Sequence, residues 1–163
     1  MPTARGLLRW VMVVTLGACA SGGTPAPSAA PSAGGDPLLT TAYAVEAEVM
    51  LDELTRHPRG FLYRTTVEGT GRAAGAGRTV QVAYVVRLPD GREMDRAEAD
   101  APLRFRIGDG TMIAALDAAV REMREGETRQ LIIPPRLGYG ARGRGPVPPN
   151  AILVMLVTLL RVS

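Results

Sequence analysis

The sequence predicts an α+β domain in which an antiparallel β-sheet wraps around a single α-helix. Short segments with alternating polarity, several rich in β-branched residues, recur between glycine and proline turns over most of the chain. One amphipathic stretch, residues 111–124, interrupts them with apolar residues at helical spacing. Because the strands flank one helix instead of alternating with several, a sheet packed on that helix is the expected architecture.

Residues 1–18 have the features of a lipoprotein signal peptide. Arg5 and Arg9 give a positive start, and the apolar run 10–16 is shorter than the ~20 residues that span a bilayer as a helix. Leu16-Gly17-Ala18-Cys19 resembles the bacterial lipobox, which implies lipidation of Cys19. The alternative is an ordinary secretory signal followed by an incidental cysteine. Since Cys19 is the sole cysteine, an internal disulfide is excluded.

Residues 19–39 are predicted to form a disordered tether. They are rich in Ser, Gly, Pro and Ala without apolar periodicity, so they bury too little surface to offset the loss of chain entropy. Such a tether would hold the folded domain away from a membrane. By analogy with envelope lipoproteins, Ala20 after the cysteine favours an outer-membrane location, with the protein facing the periplasm.

Residues 40–58 are predicted to form a short N-terminal helix of about four turns. The apolar residues fall on one stripe and Pro58 ends the pattern; they are Tyr43, Ala47, Met50, Leu51 and Leu54. We expect this helix to pack on the chain's own domain, which favours a monomer, with dimerisation through the helix as the alternative. His57, the sole histidine, is expected at the helix end and not as a ligand or base.

Residues 60–163 are assigned to the folded domain. Pro89-Asp90-Gly91 predicts a hairpin turn, and Gly108-Asp109-Gly110 breaks the chain ahead of the helix over 111–124. Gly126 is placed to end that helix. Strands are expected at 60–71, 79–88, from 93 onward, 103–107, 128–133 and 151–162.

The loop between the last two predicted strands combines several unusual features. Proline pairs at 134–135 and 148–149 bound it, and its one aromatic residue, Tyr139, stands between two glycines. A long loop between core strands that is bounded by prolines more often has a functional role than serves as a simple connection.

Composition and motifs exclude most classes of chemistry. All nineteen basic residues are arginines, and without Arg5 and Arg9 the remaining seventeen nearly balance sixteen acids, so no nucleic-acid partner is expected. No metal-ligand cluster, phosphate-binding glycine motif, nucleophile–base set or catalytic carboxylate pair is apparent, and no cofactor is expected. Prolyl isomerisation remains compatible because it breaks no bond. The twisted imide has lost resonance and is less polar, so an apolar pocket with a few donors favours it.

The pattern Pro-x-x-Leu-Gly-Tyr-Gly, a glycine-rich loop and Val-Pro-Pro-Asn-Ala-x-Leu-Val resembles the C-terminal signature of FKBP-type peptidyl-prolyl cis/trans isomerases. With the N-terminal signal, the chain is similar to bacterial lipoproteins of the macrophage infectivity potentiator group. The resemblance covers roughly 60–162. It implies the FKBP-like fold and weak binding of macrolides of the tacrolimus and rapamycin type.

The same resemblance implies a ligand pocket. Its catalytic positions fall on Tyr84, Asp95 and Tyr139, with the Tyr139 hydroxyl donating a hydrogen bond to the ligand and Asp95 lying beside Tyr84. The implied substrate-binding positions are Met94, Phe105, Met112, Ile113, Leu116, Val147 and Met155.

Several pocket positions depart from the family pattern. Met94 and Met155 stand where Phe is usual, and Leu116 stands where Trp is common. The arginine that usually pairs with the acid has only Arg96 and Arg104 as candidates. A methionine is flexible where a ring is rigid, so a softer and wider pocket with reduced isomerase activity is expected.

These observations predict a lipid-anchored peptidyl-prolyl isomerase that assists the folding of exported or envelope proteins. Its partners would be proline-containing unfolded or exported polypeptides. The alternative is a weakly active or non-catalytic binding module or chaperone for proline-containing segments. A structural lipoprotein with a decayed site is a third hypothesis.

Overall fold

The computed structural model describes residues 36–44 and 49–163, which lie in the compact unit 31–163. Within these ranges seven strands form one antiparallel sheet in the order β1-β2-β6-β7-β3-β4, and β5 also pairs with β3. The elements are α1 (Pro37–Thr40), β1 (Thr55–Arg56), β2 (Leu62–Val67), β3 (Thr79–Arg87), β4 (Glu93–Ala97), β5 (Leu103–Arg106), α2 (Ala114–Arg121), β6 (Thr128–Ile133) and β7 (Leu153–Val162), with 3₁₀ turns at Leu51–Glu53, Pro135–Leu137 and Gly140–Arg142.

Strands β3 and β7 form the centre of the sheet. They pair from Val80 opposite Val162 to Arg87 opposite Val154. The other edge of β3 is shared by two short strands, since β5 pairs with residues 79–82 and β4 with residues 84–87. Tyr84 therefore lies where these two strands meet.

Helix α2 packs on one face of this sheet, and the predicted α+β fold with a sheet around one main helix is confirmed. The helix is shorter than the predicted 111–124 because the Asp109 carboxylate accepts hydrogen bonds from both the backbone N–H and the hydroxyl of Thr111. That turn and the extended Ile113 delay the first helical residue to Ala114. Five of the eight helix residues are buried: Ala115, Leu116, Ala118, Ala119 and Val120.

The predicted helix over 40–58 is wrong for the described part of that range. Helix α1 ends at Thr40, and the chain then runs through a 3₁₀ turn to β1, which pairs with β2. Leu38 is buried against Leu62, Ile132 and Val154, and Tyr43, Val49 and Leu54 pack on the same cluster. Two residues of the predicted stripe, Met50 and Leu51, are 51% and 37% exposed.

The outer face of the sheet explains this difference. Leu62, Ile132 and Val154 alternate along their strands with residues of the main core, so they point away from α2 and need an apolar cover. An extended chain advances about 3.3 Å per residue against 1.5 Å in a helix, so it covers more of such a face.

Part of the predicted tether is also folded. An Asp36 side-chain oxygen accepts a 3.0 Å hydrogen bond from the Leu38 N–H at the start of α1, and Asp36 forms an ion pair with Arg56. The prediction of disorder is therefore wrong for residues 36–39. The predicted signal peptide, Cys19 and the rest of the tether lie outside the described residues. In the described ranges no helix is long and apolar enough to cross a membrane.

His57 does not end a helix, since that helix is absent, and is instead a buried residue beside β1. Its ring stacks on Phe61 with 4.3 Å between centroids. Nδ1 accepts a hydrogen bond from the Arg59 N–H, and Nε2 lies 3.2 Å from Glu122 Oε1. This histidine fixes the N-terminal segment to the domain.

Candidate functional site

A cavity of about 660 Å³ opens between β3, β4, the start of α2 and the loop that joins β6 to β7. Nine of the ten predicted catalytic and substrate-binding residues line it: Tyr84, Met94, Asp95, Met112, Ile113, Leu116, Tyr139, Val147 and Met155. Phe105 does not, so its predicted contact with a ligand is not supported. It is buried in the core because it pairs with Val80, toward the far end of β3.

Strand pairing positions the polar part of the wall. Val86 pairs with Asp95 on one side and with Met155 on the other, and cross-strand partners share a face of the sheet. A β-bulge follows, since Arg87 pairs with Glu93 and Met94 is left as the extra residue. Bulges re-aim side chains, which explains how the consecutive residues Met94 and Asp95 both line the cavity.

Tyr84 and Asp95 form a hydrogen-bonded pair in this wall. The Tyr84 hydroxyl donates to Asp95 Oδ2 at 2.8 Å, while Asp95 Oδ1 accepts from the Arg96 N–H at 2.9 Å. Burial raises the pKa of Tyr84, and the hydrogen bond and negative charge of Asp95 raise it further. The Tyr84 hydroxyl is therefore protonated at neutral pH and holds the carboxylate in place.

Neither of the two arginines predicted as partners of Asp95 forms an ion pair with it in the described residues. Arg96 is directed to Glu93 and Glu98 instead, at 3.4 and 2.8 Å. Arg104 lies on β5 opposite Gln81. Within the described ranges, the Asp95 carboxylate is held by a tyrosine hydroxyl and a backbone N–H.

The loop after β6 positions Tyr139. Gly138 leaves little room for a side chain, because a Cβ there would lie 3.2 Å from the Leu153 side chain. After Tyr139, the Asn150 N–H donates to the Gly140 carbonyl at 2.9 Å and closes the loop. Burial, followed by the charge of Asp95, raises the pKa of Tyr139, so its hydroxyl is a donor at neutral pH.

The wall carries two donors that the described residues leave available. The Tyr139 hydroxyl has no hydrogen-bond partner in these ranges. The Ile113 backbone N–H, ahead of α2, likewise has no acceptor there. Most of the other lining residues are aliphatic residues and methionines. Such an arrangement can bind a largely apolar group that carries one or two carbonyl oxygens.

Sequence reasoning missed Arg144, Thr111 and Pro146, which also line the cavity. Arg144 is one of several arginines in the chain's glycine-rich loop, and no pattern in the sequence separates it from Arg142. Among the described residues no group of three or more His, Cys, Asp or Glu side chains could hold a metal ion.

Comparisons with known proteins agree with this geometry. The sequence model of the family described as "FKBP-type peptidyl-prolyl cis-trans isomerase" matches residues 70–160. The chain is 35% identical over 121 residues to peptidyl-prolyl cis-trans isomerase FKBP53 of Arabidopsis thaliana, which is 72% of this chain and 25% of that protein. It is 41% identical over 89 residues to FK506-binding protein 2 of Aspergillus oryzae, which is 53% of this chain and 66% of that protein.

Two solved structures show the same fold. FkpA from Escherichia coli matches with a TM-score of 0.63 and 35% identity over 68% of this chain and 52% of that chain. AtFKBP13 matches with a TM-score of 0.65 and 31% identity over 68% of this chain and 99% of that chain. The chain thus spans about a quarter of the Arabidopsis FKBP53 protein but nearly the whole of AtFKBP13.

Proposed function

Because this chain belongs to the FKBP-type peptidyl-prolyl cis-trans isomerase family, we propose that it catalyses cis/trans isomerisation of X-Pro bonds at the cavity described above. The observation that carries this proposal is a cavity lined mostly by aliphatic residues and methionines, whose wall holds two available donors in the described residues, the Tyr139 hydroxyl and the Ile113 N–H. The proposal needs no reactive nucleophile, since isomerisation only rotates the imide bond.

The cavity would act by favouring the twisted imide over both planar forms. The barrier of ~18–20 kcal/mol arises from lost amide resonance, and the twisted imide is less polar than the planar one. Apolar side chains such as Leu116 and Met155 would surround the proline ring. The Ile113 N–H and Tyr139 hydroxyl would hold substrate carbonyls. Interactions that are stronger with the twisted state lower the barrier.

The Tyr84–Asp95 pair would act on the geometry of the wall. Its 2.8 Å hydrogen bond ties β3 to β4 beside the bulge at Met94. The charge of Asp95 also raises the pKa of Tyr139. Asp95 would therefore shape the wall and further disfavour ionisation of the Tyr139 hydroxyl.

A protease-free isomerisation assay on short X-Pro peptides tests the function. Removing one neutral hydrogen bond costs about 0.5–1.5 kcal/mol, so Tyr139→Phe should lower kcat/KM roughly twofold to tenfold. Asp95→Ala should lower it as well. Tyr63→Phe is the matched control, because Tyr63 packs on the core and does not line the cavity. Turnover no faster than the uncatalysed rate in the folded wild-type protein would refute the proposal.

We also propose that the protein is a lipid-anchored envelope protein of the macrophage infectivity potentiator type, acting on exported polypeptides. The support is the positive start, short apolar run and Leu-Gly-Ala-Cys sequence ending at Cys19. Macrolides of the tacrolimus and rapamycin type would bind weakly. The name of FK506-binding protein 2 supports such binding for that relative, and the lack of aromatic rings at Met94, Leu116 and Met155 argues for low affinity here.

The same three residues favour a second candidate function, a binding module for proline-containing segments with little turnover. A methionine adapts to many shapes, which suits binding, but it holds the proline ring less rigidly than a phenyl ring would. Saturable binding of proline peptides without turnover above the uncatalysed rate would support this second function over the first.

A further inference from the structure

Arg144 is a cation in the wall of a cavity whose other lining residues are mostly aliphatic or methionine. It is exposed, lines the cavity and forms no ion pair within the described residues. Its charge acts on both cavity tyrosines, since it opposes the rise in the pKa of Tyr84 and of Tyr139. The guanidinium therefore lies close enough to influence the donors that would contact a substrate.

The backbone holds this arginine in a fixed place. Arg144 and Val147 form an isolated antiparallel bridge, in which each N–H donates to the other's carbonyl at 3.0 and 2.9 Å. Before the bridge, Gly143 adopts a positive φ of 65° and passes close to the Val147 and Pro148 backbones. A tight turn thus presents the Arg144 side chain to the cavity, and the buried Val147 anchors it.

The other charge in the wall is already engaged. Asp95 accepts from the Tyr84 hydroxyl and the Arg96 N–H, one bond to each carboxylate oxygen. The wall therefore has a negative group that is hydrogen-bonded and a positive group that is not. Among the described residues of the wall, Arg144 is therefore the charged group that can pair with an anionic side chain of an incoming peptide.

We infer that Arg144 determines substrate specificity by favouring a peptide with an Asp or Glu side chain directly beside the proline. Neighbouring residues of an extended chain lie within about 3.3–3.6 Å of rise, so a carboxylate one residue from the bound proline reaches the cavity rim. A guanidinium binds a carboxylate with two parallel hydrogen bonds. The expected order of preference is Glu over Gln over Lys, because Arg144 repels a lysine. This inference rests on the proposed use of the cavity for proline peptides.

The test uses blocked peptides in matched pairs. In one pair Glu or Gln stands immediately before the proline, and in the other immediately after it. Binding and kcat/KM are both measured with the full chain in detergent. Exposed ion pairs are worth about 0.2–1 kcal/mol, so the wild-type protein should prefer Glu in at least one pair by roughly 1.5-fold to fivefold. Because salt screens exposed charges, the preference should shrink between about 0.05 M and about 1 M salt.

Two arginine variants assign the effect. In Arg144→Gln the ratio of Glu to Gln affinity should fall to about one. Arg142→Gln removes the same charge from the same loop, but Arg142 does not line the cavity, so the ratio should stay at its wild-type value. Equal affinity for Glu and Gln peptides in the wild-type protein, or a preference that survives in Arg144→Gln, would overturn the inference.

The two measurements separate this inference from the proposed function. Turnover of Glu and Gln peptides at equal rates and with equal affinity would support the proposed isomerase function and refute the role of Arg144 in specificity. A preference for Glu in binding without turnover would support the role of Arg144 in specificity and refute the proposed isomerase function. If none of the peptides binds, both the proposed isomerase function and the role of Arg144 in specificity are refuted.

Discussion

Met94 stands where the resemblance to the family implies a phenylalanine against the proline ring. It is the extra residue of the β4 bulge and lines the cavity. We predict that Met94→Phe raises kcat/KM on X-Pro peptides, because a phenyl ring loses less rotamer freedom than a methionine when it holds the proline, a difference on the order of 1 kcal/mol or roughly fivefold in rate. The measurement is the protease-free assay.

Met50→Phe is the control for this change, since Met50 is 51% exposed and does not line the cavity. An increase in kcat/KM in Met94→Phe but not in Met50→Phe would show that the site is catalytic and that Met94 limits its activity. An unchanged rate in Met94→Phe would contradict the prediction and favour the binding module.

Single residues also show what a sequence pattern can and cannot specify. Tyr139 and Leu116 could be placed at the site because the resemblance to the family assigns both positions, whereas helical spacing alone places Leu116 only in the core. Phe105 could not, since its distance from the cavity depends on β5 pairing with the far end of β3. Arg144 was missed for a related reason: the bridge to Val147 aims its side chain, and no spacing in the sequence encodes that bridge.

At the scale of elements, the loop between β6 and β7 depends on one close backbone approach. Gly143 has a φ of 65°, and a Cβ there would overlap the Val147 carbonyl and lie 2.8 Å from the Pro148 carbonyl carbon. We predict that Gly143→Ala weakens peptide binding and lowers the free energy of unfolding by more than the ~1–2 kcal/mol cost of a left-handed residue. Urea unfolding and peptide titration measure both effects.

Gly140→Ala is the matched control for the loop. Gly140 has a similar φ of 64°, but a Cβ there meets no atom within 4 Å, and Gly140 does not line the cavity. It should therefore show the conformational cost alone. Equal effects of the two substitutions would mean that the close approach at Gly143 does not position the loop.

The N-terminal segment is the element whose prediction failed. The spacing of Tyr43, Met50 and Leu54 fits a helix. A short isolated helix is only marginally stable in water, so tertiary packing determines whether such a segment is helical. Here the apolar face formed by Leu62, Ile132 and Val154 has to be covered. That demand arises from three strands distant in sequence, so local periodicity could not reveal it.

We predict that Leu38→Ala destabilises the domain although Leu38 precedes every strand. Its side chain is 3% exposed and packs on the outer cluster, so truncation should lower the free energy of unfolding by ~2–3 kcal/mol. The neighbouring Leu39 is 45% exposed, and Leu39→Ala should change it by less than about 0.5 kcal/mol. Chemical denaturation compares the two, and similar values would mean that the segment is not part of the cooperative unit.

For the molecule as a whole, the α+β class and six of the seven strands could be predicted because turn residues separate the β-branched or alternating runs. The short β1 lay inside the wrongly predicted helix. The order of strands in the sheet could not be predicted. It depends on β3 accepting β7 along one edge and both β4 and β5 along the other, and these long-range pairings leave no local signal. The cavity exists only once that order is set, because its wall joins β3, β4, α2 and the β6–β7 loop.

The proposed attachment of the protein to a membrane depends on one modification, the lipidation of Cys19. Each buried CH₂ of an acyl chain contributes about 0.8 kcal/mol, and two chains anchor a protein stably where one does not. Since Cys19 is the sole cysteine, no other thiol could carry such chains.

We predict that Cys19→Ser moves the protein from the membrane fraction to the soluble fraction of cells, as measured by fractionation and immunoblotting. Ser21→Ala, two residues away, should leave the distribution unchanged. A Cys19→Ser protein that stays with the membranes would rule out lipid anchoring at this residue, and isomerase activity per molecule should be the same in both variants.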